Sequence, residues 1–174
     1  MSTLPYYSID ITMASNISLI GNKNGTIFDY KNNYKGAMFF NFIEDKTQYK
    51  LEMKNLIFKN YEYHGRFQSG VRCISILSIF KDFHISINNC TFINGKSPYI
   101  SLINDFFIKE TVTEPQMKFN NCNFFNNKGR IMEVHHKEEY KYSSIYNNSI
   151  IKFNECNFTD NSGLIYSHNS KFIK

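Results

Sequence analysis

Cys90, Cys122 and Cys156 stand in the segments INNCTF, FNNCNF and FNECNF, at steps of 32 and 34 residues. Evenly spaced thiols have three uses: packing in a core, pairing as disulfides, or binding a soft metal. Leu56 holds the same slot one step earlier, and a slot that takes Leu or Cys is apolar and interior. Adjacent rungs of a sheet lie about 4.8 Å apart, which is inside the Cα range of a disulfide. The sequence contains no C-x-x-C spacing, so a zinc site has no local support. Packed thiols are therefore the expectation, with a disulfide as the alternative and no cofactor anticipated.

His135-His136 lies beside Glu138-Glu139 in the most hydrophilic stretch, HHKEEYKYSSIYNNS. Neighbouring residues of an extended chain point in opposite directions, so these two imidazoles do not share a metal easily. Glycoside cleavage needs paired carboxylates. Here Asp82 and Asp105 are isolated near strand ends, and Arg66, Arg72 and Arg130 have no acidic cluster nearby in sequence. A catalytic reading thus requires acids to converge from separate repeats. Asn-x-Ser/Thr occurs at Asn16, Asn24, Asn89, Asn147 and Asn157. Asn16, Asn24 and Asn147 fall in expected loops that can accept a glycan, whereas Asn89 and Asn157 fall inside the repeat. Tyr30, Tyr34, Tyr61, Tyr63, Tyr140, Tyr142 and Tyr146 cluster in expected loops. Of these, Tyr61, Tyr63, Tyr140 and Tyr142, together with His64, are candidates for stacking on a sugar or meeting a protein.

The elements that must position these groups follow from one cassette: MKNLIFKN, INNCTFIN, FNNCNFFN and FNECNFTD, beginning at residues 53, 87, 119 and 153. Its apolar slots are Met53/Leu56/Phe58, Ile87/Cys90/Phe92, Phe119/Cys122/Phe124 and Phe153/Cys156/Phe158. Steps of three and then two fit neither a helix nor one flat strand. They fit two short strands meeting at a bend that consumes one residue of the alternation. The bend residues are Asn55, Asn89, Asn121 and Glu155, and Asn tolerates the left-handed conformation that a tight bend requires. A third strand follows in each unit: YISLI, RIMEV and LIYS. Stacked units of this length share one continuous core.

Composition agrees with a folded domain: 42% apolar and 17% aromatic residues, without Trp and with three Pro. Asn (23), Ile (22), Lys (17), Phe (17) and Tyr (12) dominate, a set encoded by AT-rich codons. The net charge of +5 comes from scattered lysines, with no basic run or basic face, so nucleic acid is not an expected partner. No apolar run reaches the roughly 18 residues of a membrane helix, and the start MSTLPYYSID lacks the basic and apolar regions of a secretory leader. The chain ends at SKFIK, where a further strand is expected to begin, so a piece of a longer solenoid is anticipated.

These readings give an opening segment or cap over 1–16, where Ile9, Ile11 and Met13 alternate, and repeats over 17–174. The expected fold is all-β, a parallel β-helix of about five coils with its long loops at one corner. A leucine-rich repeat is the rival, since FNNCNFFNN and FNECNFTDN match its spacing. Against it stand the longer period, only seven leucines, and strand-like third segments where a helix would be needed.

The pattern F-x-x-N followed by G-x-I, at Phe124–Asn127 with Gly129–Ile131 and at Phe158–Asn161 with Gly163–Ile165, resembles the repeats of polymorphic outer-membrane proteins. It is also similar to adhesin-like right-handed β-helices of the pectin-lyase-like superfamily, as is the opening ISLIGNKNGTIFD. The resemblance covers about 17–170. It implies a right-handed solenoid and a non-catalytic role in a surface or extracellular adhesin-like or scaffold protein, with carbohydrate or a cell-surface protein as partner. The superfamily also holds polysaccharide lyases and hydrolases, so a polysaccharide-cleaving enzyme is the alternative. His64 in YEYHGR resembles the His-Gly element of polygalacturonases, but their Asn-Thr-Asp, Asp-Asp and Arg-Ile-Lys elements are missing. An intracellular interaction module is the third reading.

Overall fold

A computed structural model of the chain describes residues 8–43, 49–64, 72–80, 82–104, 114–136 and 150–168. Every regular element among them is a β-strand, and all paired strands are parallel. Sheet A contains β1 (Ile9–Thr12), β4 (Met38–Phe42), β7 (Ile74–Ser78), β10 (Ile100–Asn104), β13 (Arg130–His136) and β16 (Gly163–His168). Sheet B contains β2 (Ile17–Ile20), β5 (Lys50–Lys54), β8 (His84–Asn88), β11 (Met117–Asn120) and β14 (Ile151–Asn154). Sheet C contains β3 (Thr26–Asn33), β6 (Leu56–Tyr61), β9 (Thr91–Ile93), β12 (Asn123–Phe125) and β15 (Asn157–Thr159). The chain visits A, B and C in turn, and each visit adds a strand beside the last, so the molecule is a parallel β-solenoid. The leucine-rich alternative fails because each back segment is a strand of sheet A.

The cassette builds the B–C side. Asn55, Asn89, Asn121 and Glu155 have φ of 56°, 51°, 52° and 50°, so the bend does use the left-handed region. A second left-handed column lies five residues on, at Asn60, Asn94, Asn126 and Asp160, with φ between 52° and 59°. These two columns turn the chain out of sheet B into C, and out of C toward A. In the first turn Lys31 and Asn32, with φ of 52° and 58°, make the second bend opposite Asn60, whereas the first bend uses Gly21, where a Cβ would lie 2.1 Å from the Asn55 carbonyl oxygen.

The core is the bore of the solenoid. Rungs repeat at the strand spacing, so like residues stack in rows. The Phe28–Phe58–Phe92–Phe124–Phe158 row has ring centroids 5.3, 5.2, 5.1 and 4.8 Å apart with nearly parallel planes. Cys90 and Cys122 are fully buried, Cys156 on the last turn is half-buried, and all three are free thiols. Leu56 is buried in the same row. Phe158 remains 39% exposed because no later turn covers it among the described residues. In sheet A, Ile100 pairs with Met132 and Met132 with Ile165. The offset from the cysteine row is therefore ten, ten and nine residues, and Ile131 sits one place before the row, opposite Tyr99.

Long connections leave sheet A toward sheet B, between β10 and β11 and between β13 and β14. A second variable corner lies between β6 and β7, so the expectation of a single one is corrected. Both corners lie outside the ladders of the cassette, which is why they absorb insertions without breaking register.

Candidate interaction surface

Among the described residues, two clusters bring together side chains able to do chemistry or bind. The first lies where sheet C turns into sheet A. Tyr34 follows β3 and Tyr63 follows β6, and stacking of the turns brings their rings together edge-on, centroids 5.3 Å apart. Both are half-buried against the core. The Tyr63 backbone N–H donates to Ser97 Oγ at 3.0 Å. Glu62 accepts the Lys96 ammonium at 2.7 Å and lies 3.6 Å from His64 Nδ1. His64 Nε2 lies 3.3 Å from the Asn32 carbonyl oxygen, so its two ring nitrogens face a carbonyl and a carboxylate. The surface joins aromatic edges to donors and acceptors on one corner.

Tyr61, placed by sequence in a binding loop, belongs elsewhere. It is the last residue of β6 and is fully buried, 5.8 Å from the Tyr99 ring and 5.3 Å from Tyr30. Tyr30 is likewise buried within β3. The bend at Asn60 consumes a residue, so the inward alternation resumes at Tyr61. Burial raises both phenols well above their ordinary range, which leaves them no acid–base role near neutrality. Tyr140, Tyr142 and Asn147 lie outside the described residues. Asn16 and Asn24 are exposed, and the Asn16 Oδ1 accepts the Lys50 N–H at 2.9 Å.

The second cluster lies on the outer face of sheet A and was not legible in the sequence. Arg72, just before β7, donates its Nε to Glu133 Oε2 at 2.8 Å and also bonds through Nη2, across 61 residues. Glu133 is further approached by His135 at 3.5 Å and Arg130 at 3.6 Å. Arg130 rests 4.3 Å above the Tyr166 ring. Glu133 and Arg72 are both almost wholly buried. Burial pushes the Glu133 carboxyl up, but hydrogen bonds from His135 and Arg72 outweigh it and hold the group down at about 2. A single carboxylate flanked by two guanidinium groups and an imidazole is a polar tie between turns; among the described residues it has no second acid beside it of the kind glycoside cleavage uses. Among the described residues, no group of three or more His, Cys, Asp or Glu side chains is arranged to hold a metal ion, and no helix is long and apolar enough to cross a membrane.

No protein-family model, no curated protein and no solved structure matches the chain. The parallel β-solenoid is the level at which the likeness seen in the sequence is established.

Proposed function

We propose that this chain is a non-catalytic scaffold segment of a surface or extracellular, adhesin-like protein. In this reading it is a solenoid of the pectin-lyase-like kind that holds carbohydrate, or a cell-surface protein bearing it, on its C–A corner. The observation that carries the reading is the Tyr34–Tyr63 pair, 5.3 Å apart and half-buried on adjacent turns beside Glu62, Lys96, His64 and Ser97. Tyrosines anchored by their own core contacts lose little side-chain freedom on binding. Their exposed ring parts offer an apolar seat for a pyranose face, and the surrounding carboxylate, ammonium and hydroxyl groups match sugar hydroxyls.

Glycan-array and cell-surface binding with the chain, Tyr34→Ala and Tyr63→Ala tests this. The expected result is selective retention of glycans by the wild type and a loss of about tenfold or more in each variant, equivalent to about 1.4 kcal/mol, with unchanged circular dichroism. Equal binding by all three proteins sinks the corner as the site. New reducing ends released from a polysaccharide would favour the hydrolytic alternative.

A further inference from the structure

Of the two arginines beside Glu133, only one is engaged by it. Arg72 gives Glu133 Oε2 its Nε at 2.8 Å and its Nη2 as well, and both side chains are almost wholly buried. Arg130 Nη1 lies 3.6 Å from Oε1, beyond hydrogen-bond range, and the Arg130 side chain is 51% exposed. Among the described residues its other contact is the Tyr166 ring, 4.3 Å from Cζ, so no acceptor takes its N–H groups. Two guanidinium charges against one carboxylate leave the cluster net positive, and Arg130 carries that charge at the surface.

The ring decides how the charge is presented. Attraction between the guanidinium and the Tyr166 ring restrains a long side chain before anything binds. A guanidinium fork matches the two oxygens of a carboxylate, and a restrained one loses less freedom on meeting it. The same contact covers one face of Tyr166, so that face is no seat for a pyranose. Beside the fork, the outward row of His135 continues into the half-buried Ile103 of the previous turn. Arg and Tyr with an aliphatic neighbour form the kind of spot that anchors a polypeptide.

We propose that Arg130, held over Tyr166 on the outer face of sheet A, anchors an acidic polypeptide segment by taking one Asp or Glu carboxylate on its guanidinium fork. The Arg72–Glu133 bond is what leaves Arg130 available, because it satisfies the one carboxylate within reach. The site is separate from the Tyr34–Tyr63 corner, and its occupancy does not depend on sugar binding there.

The test uses the full chain and a labelled, capped peptide of alternating Glu and Ser, read by fluorescence anisotropy. Wild type is expected to bind it and to lose it when Gln replaces Glu. Arg130→Ala should weaken binding about fivefold or more, and Arg130→Lys, which keeps the charge but not the fork, about threefold. Tyr166→Ala, which removes the ring and keeps every charge, should also weaken it about threefold. Lys118→Ala, which removes a charge from sheet B, should leave it unchanged, and circular dichroism should be the same for all. The proposal is overturned if wild type does not bind, if Arg130→Ala binds equally, or if Lys118→Ala loses as much as Arg130→Ala. Equal competition by an oligoglucuronate of the same charge also overturns it, in favour of a sugar acid as the occupant.

Discussion

Asp29 accepts the Asn60 side-chain amide at 2.8 Å, which leaves the Asn60 oxygen to accept the Asn94 amide of the next turn at 3.3 Å. The Asn60 amide, the Lys31 backbone N–H and the Lys59 ammonium 3.1 Å away together hold the Asp29 carboxyl down at about 2. Glu133 is also held at about 2, by His135 and Arg72 against the opposing effect of burial. Both folded values lie below the ordinary 3.8 and 4.5. The stabilisation from these groups is therefore complete above the ordinary values and is lost as pH falls toward 2. Thermal melts should show a falling Tm from pH 5 to pH 2. The Asp29→Asn/Glu133→Gln double variant should start lower but fall less steeply, and an equal slope would show that other carboxylates govern acid unfolding.

The aromatic row supplies a second prediction, in which position in the stack decides the outcome. Phe92 is fully buried between Phe58 and Phe124, with centroids at 5.2 and 5.1 Å. Truncation to Ala leaves a cavity in the bore and removes two stacking contacts, a loss of about 3–5 kcal/mol. Phe158 is 39% exposed and stacks on Phe124 alone within that row, so Phe158→Ala should lose roughly half as much or less. Urea unfolding of both variants checks the ordering; equal losses would mean that the last turn is covered as well as the middle.

The parts of the fold legible in sequence were those written into one short segment. The Cys and Phe slots and the first bend lie within six residues of each other, so the broken alternation exposes them directly. The second bend carries the same residue type, with Asn60, Asn94 and Asn126 each five residues after an earlier Asn. It is silent in the sequence because no apolar slot marks the far side of the cassette. Tyr61 is hidden in the sequence for a related reason: YEY reads as polar loop unless the residue consumed at Asn60 is counted. The Arg72–Glu133 tie was out of reach, because its partners are 61 residues apart and meet only through the stacking of turns.

The bend column yields a third prediction. Glu155 has φ of 50° where Asn89 and Asn121 occupy the equivalent place. Glu lacks the short amide that makes this region tolerable for Asn, so Glu155→Asn should stabilise the chain by about 0.5–1 kcal/mol. Asn121→Val should destabilise it by about 1–3 kcal/mol, since a β-branched residue is strained at positive φ. Chemical denaturation of the two variants gives both signs. A destabilised Glu155→Asn would mean that the carboxylate makes a contact outweighing its backbone strain.

The thiols give the fourth. Cys73, Cys90 and Cys122 are buried, and desolvation pushes them up to about 12, 11 and 12. At pH 8 the reactive thiolate is scarce at each, and the surrounding core blocks reagents as well. Cys156 belongs to the same inward row but stands on the last turn and is only half-buried. Its Sγ rests 3.3 Å from the Asn154 carbonyl, a local contact that does not shield it from above. Timed alkylation of the native chain, read by peptide mass spectrometry, should therefore modify Cys156 first, with the other three following only at the rate of unfolding. Modification of Cys90 before Cys156 would mean that the bore opens from its side, and the tube of stacked rows would then be the wrong account of how this core excludes water.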